Sequence, residues 1–265
     1  MKVMLVNDDG YGALGIEAIA EALKNAGHEV LVAAPDGQRS GSGQSVTLDG
    51  EVRAVRKPLG WALTGTPADC VRAGLLHLMP DCDMVISGIN LGANLGTDCN
   101  YSGTAAAARE AVMNGRAAMA VSCAIRPGEK WCFRDAVYLA EYAVKVMEQL
   151  AAHPLPRGGF LNLNLPNLMR GEDFRPGAAP LGWFRCDRDF DVEDRGDDLP
   201  LPVRNHCPPA GGAQRYCPDA RGASLHDGGF LGCDARRIQR RGGGNCRSND
   251  GKVRCKKESE SSPFF

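Results

Sequence analysis

Met1-Lys2-Val3-Met4-Leu5-Val6-Asn7-Asp8-Asp9-Gly10 opens the chain, and His28-Glu29-Val30-Leu31-Val32-Ala33-Ala34-Pro35 follows one helix-length later. The first is an apolar run with a polar end. The second is an apolar run stopped by proline, which has no N–H for a sheet ladder. Between them Ile16, Ile19, Ala20 and Leu23 recur at i, i+3, i+4 and i+7, the spacing that buries one face of a helix. Gly27 suits the residue just past that helix. Strand, helix and strand in residues 2–34 make a βαβ unit, so the two strands should lie parallel, joined by a right-handed crossover.

The alternation continues outward from this unit. Thr66-Pro67-Ala68-Asp69 reads as a helix start, with Thr as N-cap, Pro at the first helical position and Asp closing a capping-box-like arrangement. Residues 84–87 read as a buried strand ending in Gly88. Residues 104–114 form a small-residue helix ended by Gly115, 118–122 another strand, 135–151 another helix and 160–165 a last strand. This pattern predicts an α/β fold: a Rossmann-like, mostly parallel sheet with helices on both faces. Ligands of such sheets bind beyond the carboxyl ends of the strands, which directs attention to the loops after the first, second and 84–87 strands.

Beyond residue 170 the alternation stops. Pro208-Pro209-Ala210-Gly211-Gly212 and Arg240-Arg241-Gly242-Gly243-Gly244 typify a stretch rich in Pro, Gly, Arg, Asp and Cys, with neither an amphipathic helix nor a run of alternating strands. The expected organisation is therefore an α/β domain over residues 1–170 and an irregular C-terminal extension over 171–265. Such a composition is what a GC-rich gene gives when translated in the wrong frame, so the extension is expected to be a frame-shifted or otherwise replaced tail.

Composition bounds the function classes. The chain has 265 residues, 43% of them apolar, and a net charge of −1. That suffices for a packed core and gives no electrostatic case for duplex DNA or for an anionic membrane. No run approaches the ~20 apolar residues needed to span a bilayer, and residues 1–6 read as a strand, not a signal peptide. A cytoplasmic protein is expected. The 11 cysteines are an odd number for a disulfide framework. Cys70, Cys82, Cys99, Cys123 and Cys132 read as reduced thiols. The six in the last third make no Cys-x-x-Cys, and His206 and His226 stand at no zinc-finger spacing.

Three segments carry chemistry. Asn7-Asp8-Asp9-Gly10 puts two carboxylates at a strand end. Charges ~4 Å apart repel by about 4 kcal/mol at an effective dielectric near 20. A divalent cation removes that cost; a surface Asx-turn, with the aspartates bonded to backbone N–H groups, is the other reading. Gly10-Tyr11-Gly12-Ala13-Leu14-Gly15 also matches Gly-x-Gly-x-x-Gly after a strand, with Asp36 placed as a ribose-binding acid. A dinucleotide-binding Rossmann oxidoreductase is thus an alternative, although Asp8 and Asp9 would face its anionic pyrophosphate. The second segment, residues 35–43, is a polar, Gly-rich loop carrying Arg39, Ser40 and Ser42. The third runs from Ser87 to Gly96 and on to Tyr101-Ser102-Gly103-Thr104. It offers the oxygen or amide groups of Asn90 and Asn94, then a helix start suited either to a phosphate or to ordinary capping by Ser102 or Thr104.

These segments together resemble the SurE (survival protein E) family of 5′/3′-nucleotidases. The matching residues are Asn7-Asp8-Asp9-Gly10 with Gly15; Ala34-Pro35-Asp36 with Arg39-Ser40-Gly41; Gly65-Thr66-Pro67-Ala68-Asp69-Cys70-Val71; Ser87-Gly88-Ile89-Asn90 with Gly92 and Asn94-Leu95-Gly96; and Tyr101-Ser102-Gly103-Thr104 with Ala107-Ala108-Arg109-Glu110. They cover roughly residues 1–125, with a weaker continuation to Asn162-Leu163-Asn164-Leu165-Pro166. The resemblance implies one divalent metal, Mg²⁺ or Mn²⁺, held by Asp8, Asp9, Ser40 and Asn90. It implies a substrate phosphate near Asn94, Ser102, Gly103 and Thr104, and release of phosphate from nucleoside 5′- and in part 3′-monophosphates. Asp8 and Asp9 are then the catalytic carboxylates. Gly12 falls where the family varies, and His28 matches no functional position. The resemblance also implies a homo-oligomer assembled through the chain after Pro166, which residues 171–265 do not match. An inactive family member is the remaining alternative.

Overall fold

The computed structural model describes residues 1–125, 131–167, 177–181, 187–190, 203–206 and 231–233. The opening βαβ unit forms as expected. β1 (Lys2–Val6) and β2 (Glu29–Pro35) pair in parallel around α1 (Leu14–Asn25). β3 (Ala54–Lys57) and β4 (Gly60–Leu63) form an antiparallel pair, and β4 lies parallel to β2. This pair escaped the sequence reading, because β3 is exposed throughout and shows no apolar alternation. α2 (Pro67–Ala73) starts with a complete capping box between Thr66 and Asp69. β5 (Met84–Leu91) continues past Gly88, its register on β6 (Ala117–Ala124) shifting between Ser87 and Asn90. α3 (Gly103–Met113), α4 (Phe133–Ala152) and β7 (Leu161–Pro166) complete the alternation.

Alternate residues of β1 sort the core into two layers, as the two-residue period of a strand requires. Val3 and Leu5 pack with α1 and α4, around Ile16, Ile19, Leu139 and Met147. Met4 and Val6 pack with α2 and α3, around Val71, Ala105 and Ala108. The alanines at 105–108 and 111 in α3 are all fully buried, and their small size brings that helix close to the sheet.

The sheet order is β3-β4-β2-β1-β5-β6-β7, then β11 (Leu231–Cys233) and β8 (Ala178–Pro180). β9 (Asp187–Phe190) and β10 (Val203–His206) form a separate antiparallel pair. Strands thus occur beyond residue 170, where the sequence pattern predicts none. β11 runs parallel to β7, and β8 antiparallel to β11. Each is three or four residues long, too short to leave an alternation signal. Most of residues 171–265, and with them the greater part of the expected replaced tail, lie outside the described residues.

The chain runs from β1 to one side, through β2, and then returns to the other side at β5. The switch point of this doubly wound sheet therefore lies between β1 and β5, and the crevice beyond their carboxyl ends is where such folds place a ligand.

Candidate active site

Asp8 and Asp9 leave β1 into that crevice. Asn7 is fully buried and shapes the turn: its Nδ2 donates to the Gly10 carbonyl at 2.8 Å and its Oδ1 accepts from Gly10 N–H at 3.1 Å. Gly10 has φ +105°, and a Cβ there would approach the Gly37 backbone to 3.2 Å. The β1 and β2 loops therefore touch at a point where only glycine fits. Arg39 N–H donates to the Asp8 carbonyl at 2.7 Å, so Ser40 sits one residue from a direct contact with Asp8. From the other side, Leu91 N–H reaches Asp9 Oδ2 at 3.4 Å, which brings Asn90 to the same carboxylate pair. The Asn90 Nδ2 donates to the Gly92 carbonyl at 2.8 Å, a bond that uses the N–H end of the amide and not its oxygen. Gly15 supports this arrangement from below, since a Cβ there would lie 2.0 Å from the Ile89 carbonyl oxygen.

Asp8 is 5% exposed. Burial pushes its carboxyl up; the Thr104 hydroxyl and the backbone N–H groups of Gly103 and Thr104 favour its anion. The Thr104 Oγ1 donates to Asp8 Oδ1 at 2.6 Å. For Asp9, burial and then the charge of Asp8 push the carboxyl up to about 6. Among the described residues neither carboxylate has an ion-pair partner, and no group of three or more His, Cys, Asp or Glu gathers to hold a metal. The candidate donors are instead two carboxylates, a hydroxyl and an amide, all oxygen. A buried carboxylate beside a half-buried one, with oxygen-rich neighbours, fits a hard divalent cation, whose charge opposes the forces that raise them.

α3 begins beside Asp8. The Ser102 hydroxyl oxygen accepts from Ala105 N–H at 3.0 Å as the N-cap, which leaves its proton to donate. The Thr104 hydroxyl is committed to Asp8, so it acts on the carboxylate and not as a free donor to a ligand. A Cβ at Gly103 would meet Asp8 Cβ at 2.7 Å and Ser42 Oγ at 3.0 Å. Ser42 Oγ is itself buried without a hydrogen-bond partner. The sequence reading singles out this loop and its hydroxyls but gives Ser42 no role of its own.

Asn94 is 8% exposed and held at several atoms. Its N–H donates to Asn164 Oδ1 at 2.8 Å, its carbonyl accepts from Asn162 at 2.9 Å and Asn164 at 3.1 Å, and its Nδ2 meets Ser122 Oγ at 2.8 Å. Asn162 and Asn164 therefore connect to the site through Asn94. Their signal in the sequence is a pair of alternate polar residues on one face of an otherwise apolar strand.

The glycine fingerprint dissolves on inspection of its spaces. Gly10 and Gly15 meet backbone, whereas a Cβ at Gly12 would meet nothing within 4 Å. Asp36, the would-be ribose acid, is paired with Arg39 at 2.6 Å. His28 bonds Glu148 and the N-terminus at the far end of the sheet. Cys70, Cys82, Cys99, Cys123 and Cys132 are all free thiols. No helix among the described residues is long and apolar enough to cross a membrane.

Comparison with known proteins bears on the family and the fold. The sequence profile of the family described as "Survival protein SurE" matches residues 3–178. A protein named 5′-nucleotidase SurE from Xanthomonas campestris pv. campestris (strain B100) is 46% identical over 170 residues, 63% of this chain and 64% of that protein. One of the same name from Desulforamulus reducens is 40% identical over 205 residues, 74% of this chain and 78% of that protein. The chain thus spans about 64% of the length of the Xanthomonas relatives it matches. The crystal structure of the SurE protein from Aquifex aeolicus aligns with a TM-score of 0.62 and 25% identity, covering 91% of this chain and 95% of that one. With the profile matched over residues 3–178, from β1 through β7, the chain belongs to the SurE family.

Proposed function

We propose that this chain is a phosphomonoester hydrolase that releases phosphate from nucleoside 5′-monophosphates, and in part from 3′-monophosphates, with one divalent ion, Mg²⁺ or Mn²⁺. Asp8, Asp9, Ser40 and Asn90 would hold the ion, and Asn94, Ser102 and Gly103 would face the phosphate, with the whole chemistry contained in residues 1–170. The observation that carries the reading is the meeting of two loops and one helix start on the carboxylate pair at the end of β1. Arg39 N–H at Asp8, Leu91 N–H at Asp9 and Thr104 Oγ1 at Asp8 each tie one of those elements to it. The relatives named 5′-nucleotidase SurE support the substrate class.

The residues divide the work as follows. Thr104 holds the Asp8 carboxylate in one orientation, and the dipole of the α3 start favours an anion in front of it. The Ser102 hydroxyl proton and the Asn94 amide orient phosphoryl oxygens. The Asp8–Asp9 pair takes the proton of the attacking water, Asp9 being the less buried of the two. A divalent ion bound here supplies positive charge for the phosphoryl oxygens as negative charge develops.

The test is a phosphate-release assay on a panel of nucleoside 5′- and 3′-monophosphates, with and without Mn²⁺ or Mg²⁺. Metal-dependent release is expected. Absence of release with every nucleotide and metal would leave the inactive-member reading standing, and tight NAD binding would restore the dinucleotide one.

A further inference from the structure

We propose that Ser122, on β6, anchors the inward end of the Asn94 amide so that its outward end meets a phosphate, while Asn162 and Asn164 on β7 hold the Asn94 main chain. All three are positioning residues, and the inference rests on the reading of Asn94 as a phosphate-facing residue. Asn94 lies between β5 and the short 3-10 turn at Gly96–Asn100, outside any helix or strand. A loop residue that must meet a ligand accurately needs rigid neighbours to fix it. The strand register supplies them: Asn90 stands opposite Ser122, and Ser122 opposite Asn164, in one row across β5, β6 and β7.

Both main-chain polar groups of Asn94 are bonded to β7, through the Asn164 Oδ1 at 2.8 Å and the Asn162 and Asn164 Nδ2 atoms at 2.9 and 3.1 Å. Its side chain is bonded to β6, through Ser122 Oγ at 2.8 Å. Ser122, Asn162 and Asn164 are 0%, 1% and 4% exposed. Burying hydroxyl and amide groups costs stability unless they are bonded, and here most of their bonding is spent on one loop residue.

The chemistry of the two groups gives Ser122 its particular role. A primary amide has a donor end and an acceptor end, and a phosphate monoester needs the donor. In this structure the donor end points inward, Nδ2 to Ser122 Oγ. A serine hydroxyl both donates and accepts. A half-turn of the amide therefore lets Ser122 donate to Oδ1 and turns Nδ2 outward, with the Ser122–Asn94 hydrogen bond kept in both states. Alanine at 122 has neither capacity: the inward end of the amide loses its partner in both states, and the outward end loses the anchor that holds it toward a phosphate.

The experiment compares wild type, Ser122→Ala, Asn94→Ala and the double variant in Mn²⁺ buffer. It measures inorganic phosphate binding by calorimetry and KM and kcat for a nucleoside 5′-monophosphate. Ser122→Ala should weaken inorganic phosphate by about 5- to 10-fold, the size of one hydrogen bond. It should act on KM more than on kcat, and it should add nothing in the Asn94→Ala background. If Ser122→Ala does not fold, Ser122→Cys keeps the side-chain volume with a poor donor and carries the same expectation. Wild-type phosphate affinity in Ser122→Ala, alongside a weakened Asn94→Ala, overturns the role of Ser122 and leaves Asn94 in place. Unchanged phosphate affinity in Asn94→Ala overturns both. Additive losses in the double variant show that Ser122 acts through something other than Asn94, and also overturn the proposal.

Discussion

Gly103→Ala sets a local gain against a tertiary clash, and the structure decides which wins. Gly103 is the first residue of α3, and alanine is favoured over glycine in helices by up to about 1 kcal/mol, less in the first turn. On propensity alone the substitution is neutral or stabilising. The new Cβ, however, would stand 2.7 Å from Asp8 Cβ and 3.0 Å from both Asp8 Oδ2 and Ser42 Oγ. Carbon atoms pack at about 3.5–4.0 Å, so something must move by roughly 1 Å. The Asp8 main chain cannot retreat, because its carbonyl accepts from Arg39 N–H at 2.7 Å and β1 is clamped between β2 and β5. The Asp8 side chain moves instead. Overpacking of this kind costs about 1–3 kcal/mol, which leaves a net loss on the order of 1 kcal/mol and a drop in Tm of roughly 2–4 °C. Activity should suffer far more, since a ~1 Å misplacement of a reacting group costs on the order of 100-fold. The assay pairs thermal melts with kcat/KM for nucleotide hydrolysis and Mn²⁺ titration. Gly12→Ala, whose Cβ meets nothing within 4 Å, serves as the control and should match wild type in each. A folded Gly103→Ala protein with wild-type kcat/KM and Mn²⁺ affinity would refute the reasoning.

Three further outcomes follow from the same contacts. Thr104→Val removes a buried charge-assisted bond to Asp8, worth about 1.5–3 kcal/mol; Mn²⁺ should bind roughly 10- to 100-fold more weakly, and equal affinities by calorimetry would count against a role for this hydroxyl. Exhaustive chelation with EDTA should abolish phosphate release, and added Mn²⁺ or Mg²⁺ should restore it; full activity after chelation would remove the metal from the proposed function. Asp69 gives a pH signature. Burial raises its carboxyl, but the Thr47 hydroxyl and the N–H groups of Thr66 and Thr47 outweigh burial and hold it below the ordinary carboxylate range. A depressed folded pKa means stabilisation present above the unfolded value of about 3.9 and lost as pH falls through the folded one. Wild type should therefore exceed Asp69→Asn in Tm by ~2–4 °C near pH 7, with the gap closing below about pH 4; a gap constant from pH 7 to pH 3 would contradict the assignment.

Much of the fold was legible because its signals are local. The apolar runs at 2–6 and 29–35, the helical spacing of Ile16, Ile19 and Leu23, and the Thr66–Asp69 capping box are each decided by neighbours within a few residues. The carboxylate pair was legible for a similar reason: two adjacent aspartates at a strand end need a compensating partner wherever they sit. β3 was not legible, because an exposed edge strand has no buried face to impose alternation, and β4, β8 and β11 are too short to show a period.

The sequence by itself determined the residue types, the parallel α/β class and the order in which the oxygen donors arrive. Only the tertiary structure decided what each donor faces. Thr104, ninety-six residues from Asp8, could be capping its helix or meeting a ligand until the packing of α3 on β1 pointed its hydroxyl at the carboxylate. Gly12 and Gly103 look alike in the chain, yet one opens on empty space and the other on Asp8. Asn162 and Asn164 read as strand residues of no function until the β6–β7 register set them against the Asn94 main chain. The physical reason is common to all three. Hydrogen bonds and steric contacts act over a few ångströms of space, whereas residues that share them can be dozens of positions apart in sequence.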